Sequence, residues 1–376
     1  MPFVKIPTSR VSRAGRNFVF LVFLTLVSAA SFDGYFSGSG FRDTAPRFNL
    51  TMFLDGTAYR PYIYRQLIPA AANLIVDHLP QAACDRVANR YTEHRSIGHH
   101  AGPLPLQDTR LTAKYLLVYY ISFAFLMAAI YCLYRVCLLT TGNAMASLAA
   151  AFGFALIFPL FMTDGGFFYD HGELFFFAAA YLIALRGNLY LLPLLAIPAA
   201  YNKESFLFFL LCLIPVLRSR RGWRPALISI GASLAAAAAV GFLVKRQFAG
   251  NPGGATEWHF ADNVKFYFSH TPFHRIDAFY GILMPRGFNL INLLFLVEIV
   301  RRAWRNFPAE LRQATVIGLV VNIPLFILFG FEDEVRSLSM LYVPYALLIA
   351  YYLRSWFAET TPSPAERLIE NQLSTR

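Results

Sequence analysis

The chain alternates long apolar runs with short polar segments, and this alternation constrains the fold more than any other feature of the sequence. The runs are roughly 15 to 22 residues long, which is the length that a helix needs to cross a bilayer. Hydrophobic residues make up 57% of the 376 residues and charged residues make up 15%, whereas about 25% of the residues of a soluble domain are usually charged. The sequence therefore predicts an all-α fold, namely a polytopic integral membrane protein with one membrane domain over residues 1–376.

The apolar runs predict about ten transmembrane helices. They lie at roughly 16–32, 114–134, 144–162, 171–186, 188–201, 205–217, 225–244, 280–300, 311–330 and 337–354. The fifth and sixth are short and contain proline, which is typical of tilted, broken or re-entrant segments covered by protein or by a cavity. The flanking segments include a long loop at 33–113, a second loop at 245–280 and a tail at 355–376.

Basic residues gather in turns that the ten spans place on one side of the membrane. The largest clusters are RSRRGWR at 218–224 and RRAWR at 301–305. Because Lys and Arg are enriched in short cytoplasmic loops, we expect these turns and both termini in the cytoplasm and the two long loops on the opposite side. This topology accounts for the net charge of +11. The sequence therefore predicts membrane lipids, and no nucleic acid, as partners.

The first long loop contains a periodic segment, YRPYIYRQLIPAAANLIVDHL at 59–79. Its apolar residues Ile63, Leu67, Ala71 and Ile75 are four positions apart, which predicts an amphipathic helix that lies on a surface or packs on other helices. Pro69 is expected to break or kink this helix.

Two carboxylates, Asp170 and Glu173, stand at the outer edge of the fourth predicted span, in FYDHGELFFF. Residues three apart share one face of a helix. This spacing suits general-base catalysis or the binding of a divalent cation, and it equally suits the capping of a helix N-terminus. We interpret the nearby Asp164 as a helix cap.

Further charged residues lie on the same predicted outer side. Lys203 and Glu204 in YNKES either neutralise each other or bind a phosphate group through the lysine. Arg60, Arg65 and Arg336 either bind phosphate through their guanidinium groups or extend to the membrane interface. These five residues are candidate substrate-binding residues.

The order of four segments resembles a known family. The segments are YDHGELFFF, the basic turn LRGN, the lysine-containing turn AIPAAYNKESFLFFL and the late segment EVRSLSMLYVPYALL. In this order and topology the chain resembles the membrane glycosyltransferases of the GT-C fold, which include protein mannosyltransferases and aminoarabinose transferases. The resemblance covers roughly residues 16–220 and 330–350.

The resemblance implies transfer of a sugar from a polyprenyl-phosphate donor to an acceptor on the periplasmic or lumenal side, in the bacterial inner membrane. It also implies a catalytic acid early in the first outer loop, and Asp33 matches this position as the base that takes the proton of the acceptor. Family members often have an Asp-Glu pair there, whereas this chain has Asp33-Gly34. Asp43 and Asp55 therefore stay as alternative bases.

The same resemblance implies roles for the other candidates. Lys203, Arg65 and Arg336 would stabilise the leaving phosphate, and Asp170 and Glu173 would orient the acceptor or hold Mg²⁺ or Mn²⁺. Two other classes of protein remain open. One is a polysaccharide polymerase or acyltransferase of the cell envelope, and the other is a transporter or flippase, which also places ionisable groups along a membrane path.

Overall fold

The computed structural model describes residues 13–37, 40–94, 108–162 and 165–359. It is 76% helical with almost no sheet, as expected for an all-α membrane protein. In chain order the α-helices are α1 (Arg13–Phe36), α2 (Leu50–Leu54), α3 (Leu67–Asp77), α4 (Gln81–His94), α5 (Thr109–Thr141), α6 (Ala144–Ile157), α7 (Asp170–Arg186), α8 (Leu191–Asn202), α9 (Phe206–Phe209), α10 (Ile214–Arg221), α11 (Trp223–Gln247), α12 (Phe260–Tyr267), α13 (Thr271–His274), α14 (Leu290–Ala303), α15 (Ala309–Phe329) and α16 (Tyr342–Glu359). Short 3₁₀ helices occupy Tyr62–Tyr64, Phe158–Phe161, Leu210–Leu213, Trp304–Asn306 and Val335–Leu341. The strands β1 (Ile276–Phe279) and β2 (Ile282–Pro285) form an antiparallel hairpin.

Within these ranges, five helices are long and apolar enough to cross a membrane, namely Ala14–Phe36, Thr109–Thr141, Ala144–Phe161, Trp223–Gln247 and Ala309–Phe329. They coincide with the first, second, third, seventh and ninth predicted spans. The other predicted spans correspond to shorter or interrupted helical segments. The sixth, for example, is broken into α9, a 3₁₀ turn and α10. The tail predicted at 355–376 begins inside α16, and its remainder lies outside the described residues.

The eighth predicted span, at 280–300, differs from a single helix. Its first residues form the turn and second strand of the hairpin, and α14 begins only at Leu290. The reason is the turn at Tyr280 and Gly281, where both residues have positive φ angles of 52° and 78°. Such a pair reverses the chain direction between two strands instead of continuing a helix.

The amphipathic helix predicted at 59–79 is also shorter than expected and differs in its buried face. α3 begins at Leu67, so that Pro69 lies in the first turn, where a missing N–H costs nothing. The buried stripe consists of Ile68, Ala72 and Val76. It is one residue out of phase with the predicted stripe, and Ile75 is 47% exposed.

α7 is the central helix, and most of its side chains are buried. It packs against α5 and α8, and α8 in turn packs against α11. The approach of α7 to α8 is close at Gly172, where an added Cβ atom would lie 2.5 Å from Oδ1 of Asn202. Nδ2 of Asn202 donates a hydrogen bond to the carbonyl oxygen of Tyr169 at 3.0 Å. This contact fixes the two helix ends that carry the candidate site.

Gly172→Ala should therefore destabilise the fold, because the added methyl group must displace the Asn202 side chain. We expect a loss of about 1–3 kcal/mol of unfolding free energy, as is usual for overpacking, measured by thermal or denaturant unfolding in detergent. Gly153→Ala is the matched control, since a Cβ at that position on α6 meets no atom within 4 Å and alanine favours helix. Equal stability of the two variants would contradict the close approach.

Candidate functional site

Two stacked aromatic rings, Phe167 and Tyr169, form the centre of a polar site just before α7. Their centroids are 4.9 Å apart and their planes differ by 14°. Four basic side chains surround them. The Cζ atoms of Arg42 and Arg336 lie 4.6 Å and 4.5 Å from the Phe167 centroid, and Cζ of Arg65 lies 4.8 Å from that of Tyr169, with Nζ of Lys203 at 5.7 Å. Cations at such distances are attracted by the negative faces of the rings.

Each basic side chain is paired with a carboxylate. The pairs are Arg336 with Asp170 and Glu334, Arg42 with Glu334, Lys203 with Glu173, and Arg65 with Glu204. We call these eight residues the charged cluster. Its four formal positive charges balance its four formal negative charges, as buried ionic groups require.

The pairing around Arg336 joins distant parts of the chain. Arg336 is 5% exposed, and its Nη1 lies 3.3 Å from Oδ1 of Asp170. Oδ2 of Asp170 accepts hydrogen bonds from the backbone N–H of Phe167 at 2.8 Å and from the hydroxyl of Tyr35 at 3.1 Å. The Asp170 carboxylate therefore fixes the first turn of α7 as well as pairing with Arg336. Gly166 permits this arrangement, because a Cβ there would lie 1.9 Å from the Tyr35 ring.

Glu173 has a set of hydrogen-bond partners separate from those of Asp170. It accepts hydrogen bonds from Nζ of Lys203 at 2.7 Å, from Oγ of Ser205 at 2.5 Å and from Oγ of Ser339 at 2.8 Å. Lys203 reaches it because α8 ends at Asn202 and the backbone of Lys203 is extended, with φ −162° and ψ 135°.

The neighbours Lys203 and Glu204 do not neutralise each other. Side chains of successive residues in an extended backbone point to opposite sides, and Glu204 pairs instead with Arg65, whose Nη2 lies 2.9 Å from Oε1. Nη1 of Arg65 also donates to the hydroxyl of Tyr169. The Glu204 side chain is 41% exposed, so that this pair forms the accessible edge of the charged cluster.

Pairing with arginine favours the charged forms of Glu334 and Glu204. Burial alone raises the pKa of Glu334, but Arg336 and Arg42 outweigh it and hold that pKa below its usual value. Burial likewise opposes ionisation of Glu204, and Arg65 lowers the pKa of Glu204 overall. For Arg42, burial and the repulsion of Arg336 lower the pKa despite the nearby Glu334. Arg42 is therefore the cation whose charge the cluster stabilises least.

Three of the predicted acids lie outside the charged cluster. Asp33 is exposed near the end of α1, and Asp55 is exposed at the end of α2. Asp43 accepts a hydrogen bond from the hydroxyl of Tyr115 at 2.6 Å, and burial raises its pKa. The predicted substrate-binding residue Arg60 is not part of the charged cluster either. Its Nη2 donates a hydrogen bond to the carbonyl oxygen of Gly253 at 2.8 Å. Asp164 falls outside the described residues.

Asp33 lies near the tip of the hairpin formed by β1 and β2. In the described ranges its carboxylate has neither a hydrogen bond nor an ion pair. The tip of the hairpin covers the next residue, since a Cβ on Gly34 would lie 2.6 Å from Cε1 of Tyr280. Burial and then the charge of Asp33 raise the pKa of Tyr280 to about 12. The hydroxyl of Tyr280 donates to the carbonyl oxygen of Leu156 at 3.1 Å.

Sequence reasoning did not assign roles to Arg42, Tyr35, Tyr169 or the two serines that bond Glu173. Glu334 begins the segment EVRSLSMLYVPYALL, but its pairing with Arg42 and Arg336 was not predicted. The sequence carries only a weak signal for the pair of Arg42 and Glu334, because the two residues are far apart in the chain. Only the fold brings Nη2 of Arg42 to 3.6 Å from Oε1 of Glu334.

The carboxylates Asp170 and Glu173 do not fit a metal site as they are arranged. Asp170 already pairs with Arg336, and Glu173 already pairs with Lys203. The part of the chain that the structure describes holds no group of three or more His, Cys, Asp or Glu side chains suited to a metal ion.

An apolar groove shares the segment Val335–Leu341 with the charged cluster. It lies between α14, α15, α16 and the 3₁₀ turn at Phe158–Phe161, and its volume is about 760 Å³. We call it the apolar groove. Its lining includes Val335 and Leu338 from the segment before α16, and Arg301 and Arg305 from the end of α14 and the turn after it. Val335 lies between Glu334 and Arg336 in the chain, so the same segment contributes to the groove and to the charged cluster.

Arg336→Met should destabilise the protein strongly, because it leaves Asp170 and Glu334 buried with fewer cationic partners. Removing one partner of a buried ion pair usually costs about 3–5 kcal/mol, measured here as unfolding free energy in detergent. Arg301→Met is the control, since the pair of Arg301 with Glu298 is solvent-exposed and such pairs contribute little. An Arg336→Met protein as stable as the control would show that the buried pair does not hold the fold.

Comparisons with known proteins do not assign the chain to a family. No family model, no curated protein and no solved structure matches it. The functional interpretation therefore depends on the geometry and chemistry of the charged cluster, the apolar groove and their surroundings.

Proposed function

We propose that the protein is a membrane glycosyltransferase of the GT-C type, which crosses the membrane about ten times and transfers a sugar from a polyprenyl-phosphate donor. The observation that carries this proposal is that one segment, Val335–Leu341, contributes Arg336 to the charged cluster and Val335 and Leu338 to the lining of the apolar groove. A polyprenyl-phosphate sugar has the matching composition, with a long apolar chain that ends in an anionic phosphate. The groove suits the chain, and the cations beside it suit the phosphate.

The charge distribution supports a reaction on the non-cytoplasmic side. The charged cluster lies at the start of α7, whereas Arg186 ends that helix, and Arg218, Arg220 and Arg221 end α10. The positive-inside rule assigns such arginine-rich ends to the cytoplasm. The cluster then faces the periplasm or lumen, as transfer from a lipid-linked donor in the bacterial inner membrane requires.

In the proposed reaction, an acceptor hydroxyl attacks the anomeric carbon of the sugar and the bond from that carbon to the phosphate oxygen breaks. The polyprenyl phosphate leaves with the electron pair of that bond, and the hydroxyl proton passes to a carboxylate base. Asp33 is the best candidate for the base. It is free of partners among the described residues, and its neighbour Tyr280 bonds to Leu156, next to the groove-lining Ile157.

The developing charge on the leaving phosphate needs fixed cations. Arg336 and Arg42 both pair with Glu334, which precedes the groove-lining Val335, and they are the candidates for this role. Lys203 and Arg65 stand on the Tyr169 side, next to the exposed Glu204, where they suit contacts with the sugar or the acceptor. Asp170 and Glu173 act as positioning residues that hold Arg336 and Lys203.

Asp33→Asn should reduce sugar transfer by about 100-fold or more, the usual contribution of a general base. The assay measures transfer of labelled sugar from polyprenyl-phosphate mannose and polyprenyl-phosphate aminoarabinose to envelope acceptors in proteoliposomes. Asp55→Asn is the matched control and should keep its activity, because Asp55 is exposed at the end of α2.

Loss of transfer in Asp55→Asn or Asp43→Asn, with full transfer in Asp33→Asn, would contradict the assignment of the base. Transfer from nucleotide sugars alone would contradict the proposed donor class. Movement of the lipid between leaflets without sugar transfer would support a flippase instead.

Leu319→Trp should weaken binding of undecaprenyl phosphate, because Leu319 lines the apolar groove and an indole ring fills part of it. The neighbouring Val320 is 67% exposed and is not a groove-lining residue, so that Val320→Trp is the control. We expect about a tenfold loss of affinity for the first variant alone, measured by native mass spectrometry of the purified protein. Equal affinities would place the lipid chain elsewhere.

A further inference from the structure

A second cavity lies at the opposite, arginine-rich end of the protein, away from the charged cluster. Its volume is about 580 Å³, and it lies between α10, α11 and the start of α15. Ile214, Pro215, Val316 and Ile317 form its apolar part, and Arg218, Trp223, Arg312 and Gln313 form its polar part. We call it the basic groove.

The two guanidinium groups of the basic groove differ from those of the charged cluster. Arg218 stacks on Trp223, with its Cζ 4.9 Å from the ring centroid. Both Arg218 and Arg312 are partly buried, and in the described part of the chain neither forms an ion pair with a carboxylate. A cation that gives up part of its hydration without a protein partner is poised to bind an anion.

The surroundings of the basic groove are strongly basic. Residues 218–224 and 301–312 contain eight arginines and one acidic residue, Glu310. α11 and α15 both begin at the groove, at Trp223 and Ala309, and no described side chain caps either N-terminus. Their free backbone N–H groups add to the positive potential.

We propose that the basic groove binds the headgroup of an anionic phospholipid from the cytoplasmic leaflet. The phosphate would lie between the Arg218 and Arg312 guanidinium groups, and an acyl chain would run along the apolar part at Ile214 and Val316. Basic pockets between transmembrane helices on the cytoplasmic side commonly hold such headgroups, and Trp223 is of the residue type that anchors at the membrane interface. This inference is independent of the proposed glycosyltransferase activity.

The test uses the full-length protein in mild detergent, titrated with phosphatidylglycerol and followed by native mass spectrometry. Arg218→Gln/Arg312→Gln should bind phosphatidylglycerol about tenfold more weakly than the wild type. The matched control is Arg220→Gln/Arg224→Gln, which removes the same two charges from exposed arginines that do not line the groove, and it should bind like the wild type.

Two further ligands identify what the groove recognises. Phosphatidylcholine, which carries no net charge, should bind weakly to all variants, and inorganic phosphate at the same concentration should not compete with phosphatidylglycerol. Equal losses of phosphatidylglycerol affinity in both double variants would show that only the overall positive charge matters, and they would overturn the proposal. Unchanged binding in the groove variant would also overturn it, and so would equal binding of phosphatidylcholine. If the groove double variant does not fold, Arg218→Gln and Arg312→Gln are compared singly with Arg220→Gln, and the same outcomes apply.

Discussion

The buried pair between Arg336 and Asp170 is the interaction on which the candidate site depends. It joins the first turn of the central helix α7 to the 3₁₀ segment that precedes α16, across 166 positions of sequence. Removing two charges from water costs several kcal/mol for each ion, and the pair is tolerated only because Glu334, Tyr35 and a backbone N–H complete its hydrogen bonds. The same network thus holds the segment Val335–Leu341, which also contributes to the lining of the apolar groove.

This network fixes its cations before any ligand arrives. The rings of Phe167 and Tyr169 are stacked and buried, so the cations around them have little freedom to relax, and such preorganised charges are effective for stabilising a developing anion. The cost is that each cation already has a carboxylate partner. An incoming phosphate must compete with that partner, and at Arg42 it must also compete with the carbonyl oxygen of Gly165, to which Nε and Nη2 donate at 3.2 Å and 3.1 Å.

The sequence predicts which polar residues are unusual, but not how they pair. Helical periodicity correctly places Asp170 and Glu173 near one another on α7, whereas their partners come from three other segments that no local pattern connects. Sequence proximity suggests that Lys203 and Glu204 neutralise each other, yet the extended backbone at Lys203 separates them. The long apolar helices are predictable from composition because the bilayer requires them. The pairing of charges depends on long-range packing, which a single sequence does not encode locally.

The segment at 276–303 shows why apolar composition alone does not fix the structure at the groove. A run of apolar residues has the same hydropathy whether it forms a helix or a hairpin, and Ile282 and Leu283 on β2 are exposed much as a membrane helix would expose them. The turn at Tyr280 and Gly281 makes the first part of this segment a hairpin.

The hairpin leaves α14 with only 14 residues, about 21 Å of helix. This length is less than the roughly 30 Å of a hydrocarbon core. The hairpin continues from it toward α1 and brings Tyr280 beside Asp33, while Gly287 lies at the wall of the apolar groove. Through the hairpin, the break in the helix links the surroundings of Asp33, whose carboxylate has no partner among the described residues, to the segment at Gly287 that lines the groove.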